Sequence, residues 1–180
     1  MTTNRFFAMT FLLLVGVACR EARTGEDARS SSVPVKTNSV PEHSAMHSQP
    51  KLQTLKLWVG TNEISAELAL NLDQIQTGMM WRTNMNEMDG MLFVFPKAYQ
   101  TAFWMKNTLL PLSCAYINSE GIILELHEMA PKDENPITAA SDQVQYVLEM
   151  NKEWFQRHNV TEGMLVKTER GTLKETFFRH

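Results

Sequence analysis

The side chains that offer the most distinctive chemistry are methionines in the segment GMMWRTNMNEMDGMLFVF, residues 78–95. Three of them are spaced three residues apart: Met85, Met88 and Met91. Their thioethers are soft ligands that suit Cu(I). A segment further upstream adds imidazole and thioether groups: His43, Met46 and His47. One hypothesis is therefore a copper-binding protein, while the simpler interpretation assigns the methionines to an irregular core, whose gaps Met side chains fill well.

A second set of candidate residues surrounds the polar segment FWMKNTLLP, residues 103–111. Its amide and hydroxyl side chains can fix a turn through their own backbone, and its tryptophan offers a surface for a ligand. Glu149 falls in an apolar run, where a carboxylate is costly to bury unless it is paired. We predict that Glu149 pairs with Arg82 or Lys106, so that Glu149→Gln costs stability or ligand binding. The candidate ligand-binding residues are Arg82, Trp104, Lys106, Asn107, Thr108 and Glu149.

These residues support different classes of function. The leading hypothesis is a noncatalytic module that binds a protein partner or a small ligand at a polar-rimmed pocket. The alternative is an enzyme that uses a cleft formed by Arg82, Lys106 and Glu149, and copper binding is the third. The same ion pair without any ligand would merely specify the fold. No catalytic residue, metal ligand or cofactor is assigned, because no Ser-His-acid or Cys-His grouping has a local signature. Cys114 is expected to be a buried, unreactive side chain.

The elements that must position these residues are mostly short strands. Alternating apolar runs predict strands at 55–59, 64–70, 101–105 and 144–150, and a compact strand at 91–95 that ends at Pro96. Residues 119–121 predict a hairpin turn, and Asn71 is expected to cap a short helix reaching about Met80. Residues 151–159 predict a second short helix, with its aromatic pair packed inward, and 164–169 a closing strand. Long parallel βαβ units are not predicted. The fold class is mainly β (α+β), a small barrel or sandwich of six to eight short strands with one or two short helices.

The N-terminus has the features of a bacterial export signal. Arg5 provides positive charge, 6–17 is an apolar segment too short to span a bilayer, and small residues precede Cys19. A signal peptide over residues 1–18 and lipidation of Cys19 are predicted, although Gly16 is an imperfect match and an ordinary secretory signal is the alternative. Lipidation makes the bilayer a partner and places the protein in the bacterial cell envelope, facing the periplasm or the exterior.

Composition divides the rest of the chain into a tether and a domain. Residues 20–50 contain no aromatic side chain and are rich in Ser, Pro and charge, so 19–50 is predicted to be a disordered, lipid-anchored tether. A β-rich domain is predicted for 51–180. The net charge of −3, without a long basic stripe, argues against nucleic acid as a partner.

The order of several short motifs resembles a known family. The sequence contains AEL, GMMWR, GMLFVF, FWMKNTLLPL and VLEMN in this order, across about residues 52–168. This set is similar to the domain-of-unknown-function 192 family, also called uncharacterised protein family 0127. The resemblance implies a small, mainly β domain, often exported, with no established activity. The family commonly has Asp after the Pro-Leu pair, where this chain has Ser113. Serine can hydrogen-bond a turn but cannot accept a proton at neutral pH.

Overall fold

The structure, a computed structural model, describes residues 47–179 of the 180-residue chain. Most of its strands coincide with short alternating apolar runs of the sequence. Within residues 47–179 the elements are β1 (Thr54–Val59), β2 (Asn62–Ala69), α1 (Leu72–Thr77), β3 (Asp89–Tyr99), β4 (Ala102–Phe103), β5 (Leu112–Asn118), β6 (Ile123–Met129), β7 (Ile137–Thr138), β8 (Val144–Asn151), α2 (Trp154–Arg157), β9 (Val166–Thr168), β10 (Gly171–Thr172) and α3 (Leu173–Phe178).

Eight of the strands form one open sheet in the order β10-β9-β1-β2-β3-β8-β5-β6, and β4 and β7 form a separate pair. The predicted mainly β, sandwich-like fold is confirmed, although the sheet does not close into a barrel. Its neighbours are antiparallel except β2 and β3, which run parallel and are joined through α1. The sequence predicts no long parallel βαβ unit, and this short crossover, whose helix has 6 residues, is one that it does not predict either. The helix itself is predicted, but the parallel pairing of the two strands depends on contacts across the sheet, for which neither strand has a local sequence signal.

The central strands are buried on both faces, so the sheet separates two apolar clusters. Successive residues of a strand point to opposite faces. Leu92 and Val94 of β3 therefore point to one side, where the buried residues of α2 and α3 pack. Phe93 and Phe95 point to the other side, which is covered by α1, the loop after it and the β4–β7 pair. We call this second side the α1 side.

Several local predictions are confirmed. Asn71 caps α1 through a capping box, although the helix ends at Thr77 and not near Met80. The hairpin of β5 and β6 forms as predicted. The short helix α2 buries its two aromatic side chains. Each of these features rests on a local signal: a cap, a turn or an apolar pair.

Other element boundaries differ from the predictions. β3 continues past Pro96 to Tyr99. Its pairing with β8 is irregular between Val94 and Tyr99, so the missing N–H of proline interrupts no regular ladder there. The element counts exceed the prediction because β7 and β10, of two residues each, and α3 were not predicted, while the strand predicted at 101–105 is limited to β4. A capping box between Thr172 and Glu175 is the sequence signal for α3.

The predicted signal peptide, Cys19, and the tether up to residue 46 lie outside the described residues. Among residues 47–179, the helices are too short and insufficiently apolar to cross a bilayer.

Candidate functional site

Glu149 is the most unusual polar residue of the α1 side. It lies in β8 between β3 and β5, opposite Met91 on one strand and Cys114 on the other. Its relative exposure is 4%, and its Oε2 has no hydrogen-bond partner among residues 47–179. Burial raises the pKa of Glu149 to about 8. A buried carboxyl group without a partner is uncommon in folded proteins and marks a candidate site.

Glu149 lines a cleft of about 360 Å³, which we call the aromatic cleft. Its walls come from α1 and the residues after it, from β3, and from the segment around β4. Two edge-to-face pairs of rings build one wall: Phe93 with Phe103, 4.9 Å between centroids, and Phe95 with Tyr99, 5.0 Å. The complete lining is Ile75, Gln76, Thr77, Gly78, Met79, Met80, Phe93, Phe95, Tyr99, Thr101, Ala102, Phe103, Trp104, Thr108 and Glu149.

The hydroxyl groups buried in the cleft wall are already engaged. Thr108 Oγ1 donates to the carbonyl of Lys106 at 3.3 Å, and Thr101 Oγ1 donates to the Tyr99 hydroxyl at 3.2 Å. Both threonines are buried. Neither hydroxyl therefore supplies the partner that the Glu149 carboxyl lacks.

The polar turn of the sequence forms beside the cleft. Asn107 has a left-handed backbone with φ of 55°, and its carbonyl accepts the N–H of Trp81 at 2.9 Å. Trp81 is itself left-handed, with φ of 63°. Asparagine tolerates this conformation, whereas an aromatic residue adopts it at a cost. The turn thus joins the segment after α1 to the segment after β4, which form facing parts of the cleft wall.

Arg82 belongs to a different site. Its guanidinium donates to both carboxylate oxygens of Glu67 at 2.8 Å, and Glu67 also accepts the Leu52 N–H at 2.7 Å. These residues border a separate cavity of about 280 Å³. The predicted pairing of Glu149 with Arg82 or Lys106 is therefore wrong. The partner of Arg82, Glu67, lies in β2, and the two side chains form a bidentate pair. This ion pair could not be predicted, because the sequence pattern does not show that β2 lies parallel to β3.

The candidate ligand-binding residues are thus only partly brought together. Trp104, Thr108 and Glu149 line the aromatic cleft, whereas Arg82 does not. The ammonium group of Lys106 lies 5.3 Å from the centre of the Trp104 ring, at the rim. Asn107 supports the cleft through its turn. The sequence analysis did not identify the phenyl rings of the cleft, which belong to Phe93, Phe95 and Phe103. The spacing of two residues between Phe93 and Phe95 in β3 is a signal that these two share one face.

The methionines proposed for copper do not converge on one site. Met85 and Met91 pack in the cluster of the α1 side, and Met88 packs against the other cluster. No group of three or more His, Cys, Asp or Glu side chains suited to a metal occurs within 47–179. His43 and Met46 lie outside the described residues, and His47 is exposed.

Cys114 lies between Glu149 and His127 in a row across β8, β5 and β6. The row does not form a nucleophile site. Burial raises the pKa of the Cys114 thiol well above its usual range, and the negative charge of Glu149 raises it further. The Nε2 atom of His127 lies 3.0 Å from a carboxylate oxygen of Glu125 instead.

Comparison with known proteins shows which family this chain belongs to. The family model described as DUF192, Uncharacterized ACR, matches residues 55–168. The chain belongs to the DUF192 family. Comparison of this DUF192 protein with curated proteins finds no match.

Two crystal structures share the fold. A proposed transcription regulator from Sinorhizobium meliloti 1021 is 33% identical, with a TM-score of 0.60 over 64% of this chain and 92% of that one. A protein of unknown function from Novosphingobium aromaticivorans DSM 12444 is 27% identical, with a TM-score of 0.62 over 68% of this chain and 91% of that one. These likenesses cover about two thirds of this chain and nearly the whole of both related proteins.

Ser113, where DUF192 sequences commonly have Asp, has a structural task in this chain. Its hydroxyl donates to Glu128 Oε1 at 2.6 Å and accepts the backbone N–H of Glu153 at 2.7 Å. Glu153 directly precedes α2 and has a left-handed backbone. The serine thus fixes the start of α2, in agreement with the expectation that it hydrogen-bonds a turn.

Proposed function

We propose that this DUF192 protein is a noncatalytic module of the bacterial cell envelope that binds a small, largely apolar molecule in the aromatic cleft. The observation that carries the proposal is the buried, unpartnered carboxyl of Glu149 in the wall of a cleft that is lined mainly by apolar and aromatic side chains. Ligand sites are typically apolar cavities of about 300–1,000 Å³ with a few polar groups that orient the ligand. The aromatic cleft has this composition and size.

Binding is favoured over catalysis by the composition of the cleft. Glu149 is the one carboxyl among the lining residues, whereas hydrolysis by carboxyl groups generally requires two of them in different protonation states. The thiol of Cys114 is buried and held in its neutral form. A single carboxyl in an apolar cleft orients and neutralises a ligand without further chemistry.

Export and anchoring are supported by the sequence. Positive charge, a short apolar segment and small residues before Cys19 fit a lipoprotein signal. The transcription-regulator description of the Sinorhizobium relative suggests DNA binding as another function. A net charge of −3 gives this chain little attraction for a phosphate backbone, so we favour the envelope module.

The binding proposal is tested by NMR of the full chain labelled with 13C at its methionine methyl groups. Met79 and Met80 line the cleft, and Met164 lies away from it as an internal reference. Neutral aromatic fragments should shift the first two signals and leave Met164 unchanged. Ala102→Phe should weaken these shifts by filling the cleft, whereas Ala130→Phe, at another exposed alanine, should not. Absence of any saturable shift at Met79 and Met80 across the fragments would refute binding in this cleft.

Anchoring is tested separately by cell fractionation. The mature protein should begin at Cys19, be recovered with membranes and carry acyl groups on Cys19, and Cys19→Ser should lack these acyl groups and lose membrane retention. Recovery of the protein in the cytosol with residues 1–18 still attached would contradict the proposal.

A further inference from the structure

The charge of the aromatic cleft restricts the ligand that it accepts. No Lys, Arg or His is among the lining residues that the structure describes, and the one carboxyl group is that of Glu149. The nearest candidates for a counter-charge are committed elsewhere: Arg82 to Glu67, and Lys106 to the ring of Trp104. An anionic ligand would therefore find no positive side chain in the cleft and would be repelled by Glu149 whenever this carboxyl is ionised, so its binding is disfavoured.

The rings provide a surface that suits positive charge. The face of an aromatic ring carries partial negative charge, and an ammonium group within about 6 Å of the ring centre is attracted to it. At the rim, Lys106 already places its ammonium 5.3 Å from the Trp104 ring. Deeper in the cleft, the rings of Phe93, Phe95 and Phe103 lie in the same lining as Glu149. Aromatic rings around one carboxylate form the kind of site that binds alkylated ammonium groups.

We propose that the aromatic cleft binds an organic cation, a small molecule with an alkylammonium group that is neutralised by the Glu149 carboxylate and packed against the phenyl rings. This inference rests on the proposed function and names its ligand class. The ligand supplies the positive charge that no side chain of the cleft provides. A neutral ligand that accepts a hydrogen bond from protonated Glu149 is the competing outcome of the test.

The two ligand classes differ in the direction of their pH dependence. Burial raises the pKa of Glu149 to about 8, so an organic cation must displace a proton at lower pH. Affinity for a permanent cation should therefore increase by up to about tenfold per pH unit between pH 6 and 8 and become constant above that range. Affinity for a neutral acceptor, which requires the protonated carboxyl, should stay nearly constant up to about pH 8 and decrease above it.

Other titratable groups adjoin Glu149 and must be separated from it. Cys114 and Tyr116 lie on β5, and burial raises the pKa of both above their usual range. Tyr99 lines the cleft from β3, and Lys106 lies over Trp104 at the rim. The α1 segment of the lining contributes no titratable side chain. Because all of these groups persist in Glu149→Gln, the difference between the two pH profiles isolates Glu149.

The test compares choline with 3,3-dimethylbutan-1-ol, its uncharged carbon isostere, on the full chain in a maltoside detergent. Binding is followed by the 13C-methyl signals of Met79 and Met80 at pH 6, 7.5 and 9. Choline should bind about tenfold or more tightly than the alcohol at pH 9, and this advantage should diminish at pH 6. Glu149→Gln should abolish both the preference and its pH dependence. Glu162→Gln, the same change at an exposed site, should retain both.

A second variant examines the rings. Phe103→Leu keeps an apolar wall but removes a ring, so it should weaken choline binding several-fold more than alcohol binding. Equal or tighter binding of the alcohol at pH 9 would overturn the inference while leaving the proposed binding function intact. Choline affinity that does not change with pH or with Glu149→Gln would also overturn it. If neither probe binds, the inference fails, and the neutral fragment screen decides independently whether the cleft binds ligands.

Discussion

Glu149 should destabilise the protein whenever its carboxyl is ionised, because it is buried without a partner among the described residues. Its pKa of about 8 in the folded state lies above the ordinary value of 4.5. Between these two values the unfolded chain loses the proton while the folded chain keeps it. The free energy of unfolding should therefore decrease as pH rises through this window, by up to about 1.4 kcal/mol per pH unit, and level off above pH 8.

Glu149→Gln removes this dependence. The variant should melt close to the wild type near pH 4.5 and at an increasingly higher temperature than the wild type toward pH 9, as measured by circular dichroism. The matched exposed change Glu162→Gln should follow the wild type. The expected gain in stability is opposite to the loss that the sequence analysis predicts for Glu149→Gln, because that prediction assumed an ion pair. A uniform loss of stability in Glu149→Gln at every pH would show that the carboxylate does have a stabilising partner.

Ser113 makes a second prediction at the residue scale. Restoring the family's usual residue with Ser113→Asp would place a second carboxylate beside Glu128, whose oxygen lies 2.6 Å from the serine hydroxyl. Like charges at this separation repel, so we expect a loss of about 1–3 kcal/mol near pH 8 and a smaller loss near pH 4. Chemical denaturation at both pH values measures it. Ser113→Asn, equal in size but uncharged, is the control, and equal losses in both variants would attribute the effect to shape.

At the scale of elements, the contact between β3 and β8 depends on Gly90. Its φ is not in the left-handed region, so backbone conformation does not require glycine there. A Cβ at this position would lie 2.4 Å from the sulfur of Met150 and 2.7 Å from the backbone carbonyl of Glu149. Real Cβ atoms do not approach a carbonyl this closely, so Gly90→Ala must separate the two strands.

We expect Gly90→Ala to lower the free energy of unfolding by about 3 kcal/mol or more. Because Glu149 directly precedes Met150, the partner of Gly90 in β8, the same change should disturb the methionine signals of the aromatic cleft. Lys97→Ala, at an exposed position of β3, should have little effect. Denaturant titration measures the difference, and a Gly90→Ala variant as stable as Lys97→Ala would show that β3 and β8 separate at little cost.

The elements that the sequence predicts well are those with a local signal. Asn71 has the side chain of a helix cap, and residues 119–121 have the composition of a tight turn. Strand order has no such signal. The parallel pairing of β2 with β3 follows from contacts across the sheet, and so does the partnership of Arg82 with Glu67. Glu149 was correctly recognised as costly to bury, but the absence of a partner among residues 47–179 was not predictable from one strand.

At the scale of the whole molecule, the site is assembled from segments distant in the chain. The lining runs from Ile75 to Glu149, and only the short spacing of Phe93 and Phe95 links some of its members locally. Trp104 and Thr108 were identified because they belong to a distinctive polar turn. The lining residues that the sequence analysis did not identify, such as Phe93 and Phe95, are of types that usually form a core. Only the folded structure brings them together beside the Glu149 carboxyl group.

The segment before β1 also contributes to this assembly. The side-chain amide of Gln49 donates to the carbonyl of Gly78 at 2.8 Å and to that of Gln74 at 3.3 Å. Gly78 is the C-cap of α1, and its carbonyl has no partner within the helix, whereas the Gln74 carbonyl also accepts the Gly78 N–H at 2.9 Å. Since Gly78 lines the aromatic cleft, Gln49 ties the segment that leads into the domain to the cleft wall. The sequence-based boundary at residue 51 would separate this contact from the domain.

Gln49→Ala should therefore lower the free energy of unfolding by about 1–2 kcal/mol through the loss of these hydrogen bonds. It should also weaken ligand-induced shifts at Met79 and Met80, because α1 forms one wall of the cleft. A chain that starts at residue 47 should melt like the full chain, whereas one that starts at residue 51 should resemble Gln49→Ala. Gln53→Ala is the matched control, since its side chain is exposed. If the chain from residue 51 keeps full stability and full ligand response, Gln49 has no part in holding the cleft.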